Sequence, residues 1–365
     1  MTTPAQPPAP APAPPCGEAL APLLARLHAV AARHPALAER QLQALETHLQ
    51  AAGHTAAALE TLAQRFRLLE RSGRALALRE TLLAAARQAE AAALPPQAAQ
   101  MAEALGRIAY QQGLYLEATE QWSRALDRAE ASGATHESVA ARIGLGQIHY
   151  AMGAWTTGLR FHRDALARLG PQGDSYLAAK VALNIGVGHF ETGHLEDAER
   201  HFAHGLAAAR RGSHREFEAE AHWHLARAAL ARGQLPWATA DCRLALGLAA
   251  RLGHHWLEAA ASRTWTEIAL ARGDEAGAVR STLHGLALAE RIQSRPQQSQ
   301  AHRQLAQLLE KQGDLQGALA HLWRHVELQA EVERHTPSGP APLYAAPEPG
   351  EAPEAHPRTL SPSAR

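Results

Sequence analysis

Aromatic side chains make up only 5% of the 365 residues, and lysine occurs just twice, at Lys180 and Lys311. Two cysteines, Cys16 and Cys242, exclude a disulfide framework. The Val, Ile and Thr runs that strands require are missing. No apolar run reaches the ~18 residues of a membrane span. The stretch 1–15 has neither the basic start nor the apolar core of a signal peptide. An excess of one charge is absent as well: 36 acidic and 36 basic residues are spread along the chain. Without a basic stripe the electrostatic footprint of a nucleic-acid binder is lacking. These absences point away from membrane and nucleic-acid partners and towards the cytoplasm. What is abundant is Ala, Leu, Arg, Glu and Gln, all good helix formers, so the expected class is all-α.

The helices are organised by a repeat. Gly113, Gly153, Gly193, Gly233, Gly273 and Gly313 are spaced 40 residues apart, and Gly73 extends the series by one interval. Seven residues before each marker lie Gly106, Gly146, Gly186, Ala226, Thr266 and Ala306, mostly tiny. Just before these come the bulky Leu105, Leu145, Ile185, Leu225, Trp265 and Leu305. Five residues after the marker come Ala118, Gly158, Ala198, Ala238, Ala278 and Ala318, with Trp122 and Phe202 four further on. Small residues at fixed phase let two antiparallel helices approach closely, while the marker glycine supplies a reversal with positive φ. Each helix pair hides its apolar face only by stacking on its neighbours, which defines a solenoid.

These offsets resemble the tetratricopeptide signature, Leu-Gly followed by Ala-x-x-x-Phe. The resemblance covers roughly 97–336, with a weaker block at 57–96. It implies a right-handed superhelix of six clear repeats and one weak one. The 40-residue length is similar to the repeat region of MalT-like activators and to the sensor regions of bacterial diguanylate cyclases. The segment from Leu305 to Val332 is similar to the last repeat before a cyclase domain, yet a Pro-rich stretch follows it instead of G-G-D-E-F.

Fifteen of the 22 prolines lie outside 16–336. This divides the chain into a disordered arm at 1–15, a helical cap at 16–56, the repeat domain at 57–336 and a disordered tail at 337–365. The cap reads as two helices broken near His34 and Pro35. Pro95, Pro96, Pro171 and Pro296 are expected in connections between repeats, and Pro236 in the first turn of a helix, where proline is tolerated.

Candidate chemistry is sparse. His201 and His204 share a helix face, but no third ligand follows at a metal-binding spacing. His149 and His189 occupy the same phase in adjacent repeats. Gly144-Leu145-Gly146 and Gly186-Val187-Gly188 mimic a phosphate-binding loop without its strand. Cys242 falls at an apolar core phase. No catalytic motif appears, so neither an enzyme nor a cofactor or metal site is expected.

In the tetratricopeptide family the first helices line a concave groove. Here the groove-facing phases hold Arg107, Tyr110, Gln147, Tyr150, Asn184, Phe190, Trp223, Arg227, Arg263, Glu267 and Arg303, with Lys180 one turn before Asn184. Aromatics and arginines in one groove are the material of interface hot spots. The expected function is a bacterial regulatory scaffold that binds a protein segment in this groove. The alternative is a sensor for a small signalling peptide or metabolite. An open, shallow groove favours the first and a deep, closed one the second. The oligomeric state is left open by the sequence.

Overall fold

The computed structural model describes residues 20–31, 34–171 and 173–337. The expectations for the arm at 1–15 and for the tail beyond 337 fall outside this range. The chain opens with α1 (Leu20–Ala31), α2 (Pro35–Ala51), α3 (Thr55–Arg71) and α4 (Arg79–Ala91), the last entered through a 3-10 turn at Ala75–Leu78. Three pairs follow: α5 (Pro95–Gln112) with α6 (Tyr115–Ser132), α7 (Thr135–Ala151) with α8 (Trp155–Leu169), and α9 (Ser175–Glu191) with α10 (Leu195–Arg211). Three more complete the array: α11 (Arg215–Ala231) with α12 (Leu235–Leu252), α13 (His255–Ala271) with α14 (Glu275–Arg291), and α15 (Arg295–Lys311) with α16 (Leu315–Arg334). Among the described residues there is no strand.

All seven marker glycines adopt positive φ, from 70° at Gly73 to 82° at Gly193. The backbone has a finer period than the glycines reveal. A positive-φ residue of the same kind also ends the second helix of the pairs other than those closing with α8 and α16, at Gly133 and Gly253 but equally at Ala93, Ser213 and Gln293. Helix plus turn is therefore a 20-residue unit. Each reversal closes as a Schellman motif: the Leu114 N–H donates to Ala109 O at 2.9 Å, and the Asp274 N–H to Ala269 O at 2.9 Å. Only where Pro171 sits is the connection longer, with Gly170 taking the positive φ.

Within a pair, the small residue seven before the marker faces the residue nine after it. A Cβ on Gly106 would stand 2.7 Å from Trp122, and one on Gly186 2.5 Å from Phe202 and 3.2 Å from Ala198 O. At Gly146 the opposing ring is His162, fully buried with neither ring nitrogen hydrogen-bonded. Further along, the same crossing is Ala226 against Cys242, and then Thr266 bonded to Thr282 at 3.0 Å. Burying a ring such as Phe202 contributes about 1.5–3 kcal/mol, available only because its partner has no side chain.

The prolines require one correction. Pro95, Pro96 and Pro296 lie in the first turns of α5 and α15, not in connections. There the fixed φ suits the helix and the missing N–H costs nothing. Pro171 alone of the four is in a connection, and Pro236 is in the first turn of α12.

Candidate functional site

The array closes on itself. The turn between α5 and α6 meets the last pair: the Leu116 N–H donates to His335 O at 2.7 Å, and Arg295 Nη1 donates to Gln112 O at 3.4 Å. Val332 of α16 joins the core around Tyr115 and Ile148. The turn after α3 meets α13 and α14, with His255 Nδ1 donating to Ser72 O at 2.8 Å and Ile292 packed on Gly73. Two of the seven marker glycines, Gly73 and Gly113, thus serve as docking points, whereas the other five have nothing within 4 Å of a built Cβ.

Closure converts the concave groove into a channel made of two cavities, about 810 Å3 and 510 Å3. They share Tyr110, Gln111, Gln147, Asn184, Glu220 and Trp256. Of the twelve groove residues expected from sequence, eleven line one cavity or both. Arg303 lines neither and is exposed, because α15 turns Gln300 and Gln304 inward instead.

The smaller cavity is braced from wall to wall. Arg107 bonds Glu70 through two nitrogens and donates to Tyr176 Oη at 3.2 Å, joining α3, α5 and α9. Lys180 stands 3.6 Å from Glu103, and Arg71 pairs with Glu216 of α11 at 3.1 Å. Burial opposes the charge on Glu103, yet Arg107 and Lys180 hold its carboxyl below the usual range. Sequence phase placed Arg107 and Lys180 on the wall but gave no sign that both are engaged there.

The larger cavity is furnished differently. Arg227 pairs with Glu191 at 2.6 Å and lies 4.4 Å over the Phe190 ring. Among the described residues Arg263 has only the Gln300 carboxamide as hydrogen-bond partner, and burial together with Arg227 lowers its pKa. Glu267, one turn on, makes no ion pair within 4 Å among the described residues, and burial raises its pKa. Asn184 Nδ2 donates to Lys180 O at 2.8 Å, leaving Oδ1 as an acceptor. Tyr150 is largely packing: it is 7% exposed, tilts against Trp155 and His162, and donates to Asn184 O at 3.0 Å. Glu220 and Gln300 are lumenal residues that the groove phases missed; both share the phase of Lys180, thirteen before the marker, which would have found them.

Set beside solved structures, the chain overlays a Rap conjugation gene regulator in complex with its Phr peptide at a TM-score of 0.55 and 19% identity. That match covers 75% of this chain and 76% of that one. A Rap protein complexed with Competence and Sporulation Factor gives 0.54 at 13% identity, over 87% of this chain and 99% of the other. The apo form of RapI gives 0.54 at 14% identity, over 74% and 99%. The fold is a tetratricopeptide-like solenoid. No family model matches the sequence, and no curated protein does.

The other motifs are accounted for by packing. Gly144 and Gly146 clear the rings of Trp122 and His162. His149 and His189 do not meet: the first stacks on Phe161 at 5.1 Å, the second on His201 at 5.4 Å. Among the described residues no three His, Cys, Asp or Glu side chains converge to hold a metal. Cys242 is fully buried, which pushes its thiol up to about 12. No helix among the described residues is long and apolar enough to cross a membrane.

Proposed function

We propose that this protein is a receptor for a short, extended peptide, held in the channel and read out as a regulatory signal in the bacterial cytoplasm. The observation that carries the reading is the closure of the array. A cavity of about 810 Å3 falls in the ~300–1,000 Å3 range of small-ligand sites, and a folded partner has no open groove to lie in. This supports the signalling-ligand alternative over a scaffold for a large protein segment. The wall favours a peptide over a compact metabolite. Gln111, Gln147, Asn184 and Gln304 offer amide groups along its length, suited to a peptide backbone, with Trp223, Trp256 and Phe190 between them. Rap proteins of this fold have been captured with the Phr peptide and with Competence and Sporulation Factor. Regulation also agrees with the resemblance to MalT-like repeat regions. In this reading the chain is no enzyme; its work is a change of shape on binding.

The test is affinity selection from a random hexapeptide pool, followed by calorimetry with the retained peptides. Replacing Asn184 and Arg227 together by Ala should weaken binding by about 1–4 kcal/mol with unchanged helicity. Retention of no peptide sinks the proposal, and a double variant with full affinity moves the site out of the channel. A metabolite ligand would instead be retained from a small-molecule extract.

A further inference from the structure

The array ends on a bare apolar face. On α16, Leu315 is 68% exposed, Leu319 54%, Leu322 46%, Trp323 61% and Val326 48%. The register of the repeats shows how unusual this is. In the five preceding repeats the residue nine after the marker is Trp122, His162, Phe202, Cys242 or Thr282, and each is at most 2% exposed. The following pair stacks on it; the ring of Trp122, for instance, lies against Gly144 of the next repeat. Leu322 holds the same register with no following pair. The second half of α16 is covered at the ring seam, where Leu328 is 2% and Val332 7% exposed. Only the first three turns are uncovered. End repeats of a solenoid ordinarily carry a polar outer face.

The stripe is symmetric. Leu315, Leu319, Leu322 and Val326 follow the 4-3-4 spacing of a coiled-coil seam, and that spacing reads the same in both directions about the midpoint between Ala320 and His321. An antiparallel α16 crossing there sets Leu319 against Leu322 of the other helix, and Leu315 against its Val326. Among the described residues the opposite end of the array offers no matching stripe, since the exposed positions of α1 that line no cavity are Pro22, Arg26 and Ala29. Head-to-tail stacking is thereby disfavoured. Residues 338–365 supply only Leu343, Tyr344 and Leu360 as large apolar groups among their prolines, too few to cover a stripe of three turns.

We infer that a second copy of this chain covers the stripe, as a two-fold dimer packed α16 against α16. The apolar core of this interface is on the order of 400 Å2 per copy, about half of what each partner of a standard interface buries. Gln316, His321, Arg324 and Glu327 form its rim. An interface of this size belongs to the weak, reversible class, with affinity set by the fit of the apolar seam rather than by area.

Sedimentation equilibrium on the full chain tests this, with no ligand needed. A concentration-dependent dimer is expected, and Leu315→Glu should raise its dissociation constant about 100-fold while circular dichroism stays unchanged. Register is tested in a Cys16→Ser background: Leu319→Cys protein mixed with Leu322→Cys protein should form the mixed disulfide several-fold faster than either homodisulfide, with oxidised glutathione as oxidant. A chain monomeric at on the order of 100 μM overturns the inference, as does a dimer indifferent to Leu315→Glu. So does hydrogen-exchange protection of α16 in a monomer that disappears when 338–365 are removed, which would assign the stripe to the tail.

Discussion

Arg107 and Arg263 both line the channel, and they live under different rules. Arg107 is locked between Glu70 and Tyr176, with Glu103 3.6 Å away. Burial works against its charge, but Glu70 and Tyr176 more than compensate, so its pKa rises well above the ordinary value. Arg263 meets no carboxylate within hydrogen-bonding reach, and its pKa falls. The same contrast separates Glu70, which accepts from Arg107 and Gln111, from Glu267, which accepts from nothing in the channel. One half of the channel uses its charges to hold the walls together. In the other, Arg227 is likewise held by Glu191, but Arg263 and Glu267 are in no ion pair among the described residues. Lumenal position alone therefore does not tell a bracing residue from an unpaired one; the partner already in place does.

Substitution should separate the two halves clearly. Arg107→Ala strands Glu70, whose side chain is 9% exposed, and leaves Glu103 with Lys180 alone, at an expected cost of about 2–4 kcal/mol, somewhat under that of a fully buried pair. Arg263→Ala should stay within about 0.5 kcal/mol of the parent. Urea titration followed by circular dichroism measures both, and equal losses would erase the distinction.

Acid should act through the wall behind the braced half. Burial, helped by Lys180, lowers the His162 pKa to about 3 from the ordinary 6.5. The folded chain thus binds fewer protons than the unfolded one between those values. Stability from the neutral ring is complete above about pH 6.5 and is lost as pH falls towards 3. His162→Phe, which copies Phe202 of the next repeat, should flatten the acid limb of a melting-temperature profile. Removing two unsatisfied nitrogens should also add about 1–2 kcal/mol at neutral pH. An unaltered acid limb would place the responsible group elsewhere.

The smallest effect has the opposite sign. Hydrogen bonds to Asp174 and Glu137 raise the His136 pKa to about 9. Its contribution is whole below about pH 6.5 and disappears as pH rises through 9. The side chain is 37% exposed, so screening limits it to a few tenths of a kcal/mol. Comparing His136→Gln with the parent at about pH 7 and 10 should show the difference only at the lower pH.

Much of the fold was legible because packing constraints repeat. Gly106, Gly146 and Gly186 announce close crossings, and the glycines at 40-residue spacing announce reversals. The 20-residue period was hidden because Ala93, Ser213 and Gln293 adopt positive φ without being glycine. The channel wall was legible to the extent that groove phase is constant along the array; it failed at Arg303, where α15 presents a neighbouring phase inward. Ring closure was not legible. It depends on small rotations accumulated over every pair, and its contacts, such as Arg295 to Gln112, join residues 183 apart in sequence. Nothing local in either residue records the meeting.

Closure also bears on how such a gene can change. An open solenoid gains or loses a unit by duplication or deletion, because each repeat touches only its neighbours. Here Gly73 and Gly113 must meet Ile292, Pro296 and Val332 across the ring. Inserting or deleting 40 residues anywhere between them would rotate these surfaces past each other and leave both without cover. The ring thus closes only with a fixed whole number of repeats, in the way a wheel has a fixed number of spokes. Variation should accumulate in what faces the hub.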